Sequence, residues 1–318
     1  MSLRTQRGFC FVIKEVLPAK DQIWSIGIYA GKSPFDLESL AGVPNPILTC
    51  QHISDVPAKF VADPFMIQAD GTWHMFFEVF NQQTNKGEIG LATSETGAAW
   101  VYHEIVLSES FHLSYPYVFE WNGDYYMTPE TLLAEAVRLY KATDFPTRWT
   151  CLGSLISGSC ADPSVFQYDG RWWMFTCSTP YQHDTLRLYL ADEIMGEWSE
   201  HPASPIVKGN KRKARPGGRV LVLDNIIVRF AQDCVPAYGT QLRAFEVSEL
   251  TANTYVEKEN SKSPILSASG QGWNQTGMHH IDAHLLKDGR WLACVDGSTE
   301  TSFTQKTDHH ASAALIQA

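Results

Sequence analysis

Asp63 and Asp162 head two closely matched segments, ADPFMIQADGTWHMFFE (62–78) and ADPSVFQYDGRWWMFTC (161–177). A third copy, SYPYVFEWNGDYYMTPE (114–130), puts Tyr115 at the same point, and Glu78 and Glu130 end two of the three. Looser copies, RPGGRVLVLDNIIVRFAQD (215–233) and HIDAHLLKDGRWLACVDG (280–297), add Arg215, Arg219, His280 and Asp282. Carboxyls gathered this way can run general acid–base chemistry, one accepting a proton while another, kept neutral by burial and like charge, donates one. Each candidate also has a plainer reading. Asp-Pro often opens a turn by bonding its own backbone. Glutamates at strand ends can simply be solvated. Arg215 and Arg219 can belong to a basic loop with Lys208, Lys211, Arg212 and Lys213. The chemistry therefore depends on whether the fold brings these side chains together.

The elements that carry them are legible. The three close copies each read as an extended run, a tight Asp-Gly or Asn-Gly turn and a second run rich in aromatics, the pattern of a β-hairpin. Recurrence about every 50 residues signals repetition of one β unit, and five units predict an all-β, five-bladed propeller. The segment 24–49 resembles the outer strands that follow the first two hairpins, 88–108 and 137–157, yet no hairpin precedes it. The fifth hairpin, conversely, is followed only by a Ser/Thr-rich tail. N-terminal outer strands should therefore complete the C-terminal blade and close the ring, hiding its edges. The expected organisation is a single propeller domain over 1–318. Its blades run approximately 60–110, 111–158, 159–208 and 209–266, with 280–297 plus 22–50 as the fifth. In such a ring the start of each inner strand and the end of its partner share one mouth. Asp63, Glu78, Tyr115, Glu130, Asp162, Arg215, Arg219, Asp233, His279, His280, Asp282 and Asp296 all fall there. So many acids near one axis repel and must be desolvated, which suggests a site rather than a support.

A net charge of -10 excludes a general nucleic-acid surface, which needs a basic face. The start of the chain lacks a secretory pattern, and no run of about 18 apolar residues occurs. A soluble, cytoplasmic protein without a membrane partner is expected. The seven cysteines show no CxxC spacing, so neither a disulfide framework nor a zinc site is indicated. His280, Asp282 and His284 share one face of an alternating strand, but no fourth ligand is identifiable. Neither a metal nor a cofactor is expected, and the expected partner is a small molecule or glycan.

The Asp-Pro hairpins resemble the repeats of five-bladed propeller glycosidases, especially glycoside hydrolase family 43. That resemblance implies a general base at Asp63 and a carboxylate at Asp162 that orients and tunes the acid. The family's acid is a blade-four glutamate, but here that stretch reads Ala214-Arg215-Pro216-Gly217-Gly218-Arg219. Glu130, lying between Asp63 and Asp162 around the ring, is the chosen donor. Glu78 is better suited to holding a sugar hydroxyl. Arg215 and Arg219, which would oppose a raised pKa at Glu130, are expected to face substrate instead. His279 and His280 match a blade-five histidine that lies near a structural cation in that family. A closer resemblance, carried by ADPF with FFE, YPYVFE with PE, ADPS, RPGGR and HHIDAH, is to the N-terminal propeller domain of glucosamine inositolphosphorylceramide transferases and its stand-alone bacterial relatives. There the propeller accompanies a separate glycosyltransferase domain, which is not expected beside a propeller in 318 residues. The likeness implies glycan handling without fixing the chemistry. Three functions compete: a glycosidase-like enzyme, a non-catalytic glycan-binding propeller using platforms such as Tyr115, Trp73 and Trp273, and a propeller recruited to a non-hydrolytic reaction on a natural product.

Overall fold

The computed structural model describes residues 22–223 and 226–300, so the extreme N-terminus and the Ser/Thr-rich tail beyond 300 lie outside the described residues. The repeated segments fold as hairpins for the reason their turns suggest. Asp70-Gly71, Asn122-Gly123 and Asp169-Gly170 all have positive φ, between 49° and 81°. Two consecutive left-handed residues are what a two-residue turn needs to match the strand twist, and Asn-Gly or Asp-Gly tolerates them.

Each hairpin forms the inner half of a four-stranded antiparallel sheet. Blade one is Ala58–Ala69, Thr72–Asn81, Lys86–Ser94 and Val101–Leu107. Blade two is Ser114–Trp121, Asp124–Glu130, Ala136–Asp144 and Arg148–Ser157. Blade three is Ala161–Tyr168, Arg171–Cys177, Leu186–Ala191 and the short Ser199–Glu200. Blade four is irregular: Arg215–Pro216 and Leu221–Leu223 both pair with Ile226–Asp233, followed by Gln241–Leu250 and Tyr255–Glu259. Gly217 and Gly218 split its inner strand in two. A Cβ on Gly218 would lie 1.7 Å from the Ile281 carbonyl, so the backbone of blade four touches that of blade five there.

Blade five joins the two ends of the chain. Ile281–Leu285 and Trp291–Glu300 are its inner pair, and Gln22–Ser33 and Asp36–Ser39 complete it. Ten residue pairs, from Gln22↔Glu300 to Gly31↔Trp291, hold the junction. The inner strands touch in the order one, two, three, four, five and back to one, which closes the five-bladed ring. Apolar side chains fill the wedges between blades: Phe76, Tyr117 and Met127 between one and two, and Val137, Val165 and Trp172 between two and three. The only helical elements among the described residues are three single 3-10 turns, and no helix there is long and apolar enough to cross a membrane.

Candidate functional site

The hairpin register sets the site. Ala62 pairs with Glu78, Ser114 with Glu130, Ala161 with Cys177, and Arg215 with Gln232. Just after each of the first three inner residues comes a left-handed one: Asp63 (φ 52°), Tyr115 (φ 46°) and Asp162 (φ 53°). The pairing register slips at each of these points. Such backbone costs on the order of 1–3 kcal/mol per residue and persists only where its surroundings dictate it. Here the neighbouring blade does so. Asp63 N–H donates to Asp296 Oδ2 (3.1 Å), and Asp162 N–H donates to Glu130 Oε2 (3.2 Å).

Asp63, Glu78 and Glu130 line one pocket of ≈ 150 Å³ together with Arg215 and His279. Its walls include Trp24, Phe60, Leu132, Tyr181, His183 and Tyr238. Burial pushes the pKa of Asp63 up to about 7, His279 opposing and Asp296 and Asp162 adding to the shift. Asp63 Oδ1 has no hydrogen-bond partner; His279 Nε2 lies 3.9 Å away and His280 Nδ1 3.8 Å away. His280 Nε2 contacts the Pro64 carbonyl at 3.0 Å, and burial lowers the pKa of this histidine to about 4. A neutral ring donating there turns a bare nitrogen lone pair toward Asp63, an arrangement that favours a proton on the carboxyl.

Glu78 is raised well above its usual value, first by burial and then by Asp63 and Glu130. His112 faces it, Nε2 to Oε1 at 3.3 Å. The other ring nitrogen, Nδ1, accepts from Gly87 N–H at 2.8 Å, so the proton sits on Nε2, pointing at the glutamate. Burial, with Lys86 adding, holds His112 down to about 4, so this histidine is neutral at pH 7. Glu130 is likewise raised well above its usual value, by burial and by Asp162, while Arg215 opposes.

Arg215 binds Asp162 in a fork, Nε to Oδ2 at 2.5 Å and Nη2 to Oδ1 at 3.4 Å, and Nη2 also reaches Glu130 Oε2 at 3.4 Å. The expectation that Arg215 stands apart from Glu130 is thus corrected. Its guanidinium bridges the two carboxyls because the blade-four strand enters at Arg215, directly beside the inner strand of blade three. Gln232 Nε2 adds a bond to Asp162 Oδ2 at 2.9 Å, and Asp162 itself is 1% exposed. On the far side of Asp63, His279 Nδ1 and Asp296 Oδ1 are 2.8 Å apart. Burial would lower His279, but Asp296 holds it above its ordinary value; burial would raise Asp296, but His279 holds it below. Asp63, His279 and Asp296 each place a ligand atom within 4.8 Å of the others, a spacing at which they could hold a metal ion.

Tyr115, Arg219, His280 and Asp282 do not line the pocket, although their sequence positions suggested the same ring. The rings of Phe65, Tyr115, Tyr117 and His280 pack together and fill the interior. Tyr115 Oη reaches across to Ser164 Oγ (2.8 Å), accepts from Gly218 N–H (2.8 Å) and donates to Gly218 O (3.0 Å). Arg219 comes four residues after Arg215 and lies against the Phe65 and Tyr117 rings, where Nε binds Asp282 Oδ1 at 2.5 Å. Asp282 also accepts from Met66 N–H (2.6 Å) and contacts His284 Nε2 (3.0 Å). Arg219 and His284 hold its pKa low against burial. Trp73 and Trp273 are packed as well: Trp73 is 5% exposed, and Trp273 lies over Gly27 and Gly297. Asp233 is tied to Arg212 and Arg243. Sequence reasoning missed Trp24, His112, Tyr181, His183 and Tyr238. Trp24 stacks on His279 with ring centroids 4.0 Å apart.

Residues 17–298 match the family described as glucosamine inositolphosphorylceramide transferase 1, N-terminal. Glucosamine inositolphosphorylceramide transferase 1 of Oryza sativa subsp. japonica is 37% identical over 302 residues, covering 88% of this chain and 41% of that protein. The Arabidopsis thaliana protein of the same name is 33% identical over 300 residues, covering 88% and 39%. The chain thus spans about two fifths of the length of these relatives. Among solved structures, the catalytic domain of a family 62 glycoside hydrolase, an α-L-arabinofuranosidase from Coprinopsis cinerea, superposes with a TM-score of 0.57. It is 12% identical, and the match covers 89% of this chain and 98% of that one, a likeness of fold.

Proposed function

This chain belongs to the family of the N-terminal region of glucosamine inositolphosphorylceramide transferase 1, and from that premise we propose a carbohydrate-active propeller whose pocket performs glycoside hydrolase-like acid–base chemistry. The observation that carries the reading is the set of three buried carboxyls, Asp63, Glu78 and Glu130, lining one pocket with aromatic walls. Asp63 takes the proton of the attacking hydroxyl. Glu130 gives its proton to the oxygen that leaves as the glycosidic C–O bond breaks. Two carboxyls with raised pKa values suit these tasks near neutral pH. Asp162, forked to Arg215, fixes the position of Glu130, and Glu78, partnered by His112, holds a sugar hydroxyl.

A second reading is favoured by Arg215, which occupies the stretch where family 43 hydrolases carry their acid, and by the relatives' greater length. Under it the same pocket recognises a glycan without turnover, as one part of a longer transferase. A panel of p-nitrophenyl glycosides with wild type and Asp63→Asn separates the two. Turnover that Asp63→Asn abolishes supports the enzyme, whereas saturable sugar binding without release of p-nitrophenol supports the module. Neither turnover nor binding of any sugar in the panel overturns both.

A further inference from the structure

Among the described residues, one Phe, Tyr or Trp alone is exposed: Tyr181, at 43%. Every other such ring is at least half-packed, and this one stands on the rim of the carboxyl pocket. It belongs to the 178–185 loop that joins two strands of blade three. That loop is tightly tied. The carbonyl of Thr179 accepts from Gln182 N–H (3.0 Å) and His183 N–H (2.7 Å). Its Oγ1 accepts from Asp184 N–H (3.2 Å) and Thr185 N–H (3.0 Å) and donates to Asp184 Oδ1 (2.9 Å). Arg215 braces the loop, Nη1 donating to Pro180 O at 3.2 Å and to His183 Nδ1 at 3.0 Å. The guanidinium that holds Asp162 and Glu130 therefore also fixes the loop that carries Tyr181.

An aromatic face kept in water on a rigid support suits the apolar C–H face of a pyranose or furanose, whose hydroxyls stay solvated around it. The pocket, at ≈ 150 Å³, has room for a single ring, so anything linked to that ring must leave through the mouth. We propose that Tyr181 is an outer sugar subsite: the pocket takes the terminal ring of a glycan and Tyr181 stacks the ring joined to it. This rests on the carbohydrate reading above. It assigns the site a ligand of at least two linked sugars, where the carboxyls alone ask for only one.

The test is calorimetric titration with three matched pairs: glucosamine and its β-1,4-linked dimer, glucose and cellobiose, and arabinose and its α-1,5-linked dimer. For the pair that binds, wild type should prefer the dimer by about fivefold, the scale of one aromatic contact. Tyr181→Ala should erase that preference by weakening the dimer about fivefold more than the monosaccharide, and Tyr181→Phe should restore it. If Tyr181→Ala keeps the preference, or weakens monomer and dimer equally, the subsite is overturned while the carbohydrate reading stands. If no sugar binds wild type, both fall. A dimer preference lost in Asp63→Asn but retained in Tyr181→Ala places the second ring elsewhere and also overturns the assignment.

Discussion

At the scale of single residues, the molecule keeps an acid where it is costly. Asp63 is 5% exposed, one oxygen lacks a donor, and its pKa rises from 3.8 to about 7. Between those two values the folded chain holds a proton that the unfolded chain has already released. Folding stability from this group therefore falls as pH rises through the window from about 4 to 7, and the loss is complete above it. Asp63→Asn keeps the shape, tolerates the left-handed backbone and cannot ionise. It should raise the melting temperature at pH 8 by on the order of 2–4 °C over wild type, and change it little at pH 4. An equal difference at both pH values would sink the assignment of that proton. The same titration predicts an ascending limb near pH 7 in kcat/KM, because the base must be ionised. Glu130 carries the opposite demand. Glu130→Gln should slow glycosides with poor leaving groups by about 10²–10⁴-fold and activated aryl glycosides far less, since only the former need protonation. Equal losses on both substrate types would remove Glu130 from the donor role.

At the scale of elements, the hairpin is the unit that the sequence makes plain. Asp-Gly and Asn-Gly turns flanked by alternating apolar residues leave one register, which puts Glu78 beside the Ala62-Asp63 step and Glu130 beside the Ser114-Tyr115 step, while the packing of blade three on blade two brings Asp162 to Glu130. Trp24 apart, which lies on the strand Gln22–Ser33, what lay hidden came from connections. His112 precedes a strand, Tyr181 and His183 sit in the loop of blade three, and Tyr238 sits in that of blade four; no period marks such positions. The choice of Tyr115, Arg219 and Asp282 followed position along the strand, and the packed rings of Phe65 and Tyr117 decide which of those positions reach the pocket. One loop contact gives a sharp test. A Cβ on Gly87 would lie 2.2 Å from Leu113 O and 2.8 Å from both Glu78 Oε1 and His112 Cε1, so the glutamate and the imidazole meet only over a glycine. Gly87→Ala should destabilise the fold by about 1–3 kcal/mol and weaken sugar binding as much as His112→Ala does. The double variant should bind no worse than either single one, because both break one clasp. Fully additive losses in a double-mutant cycle would show that Gly87 and His112 act on Glu78 independently.

At the scale of the whole molecule, one blade closes the ring and also builds the site. Gln22–Ser33 lies between Asp36–Ser39 and Trp291–Glu300, and its side chains Ile26 and Ile28 are fully buried against blade one. Trp24, on the same strand, stacks on His279, whose partner Asp296 fixes the backbone of Asp63. Removing the strand would bare ten paired positions along Trp291–Glu300 and empty the wedge beside blade one. An open sheet edge of that length also invites pairing between molecules. Residues 43–318 alone should therefore be insoluble or molten, losing the cooperative unfolding transition of the full chain. A synthetic peptide spanning 20–50, added during refolding, should restore that transition and with it sugar binding, since the missing half-blade is supplied in trans. A soluble, cooperatively folded 43–318 fragment would show that the ring holds without its closure. A fragment that refolds with the peptide but binds no sugar would instead separate the fold from the site and leave Trp24 and His279 without a part in binding.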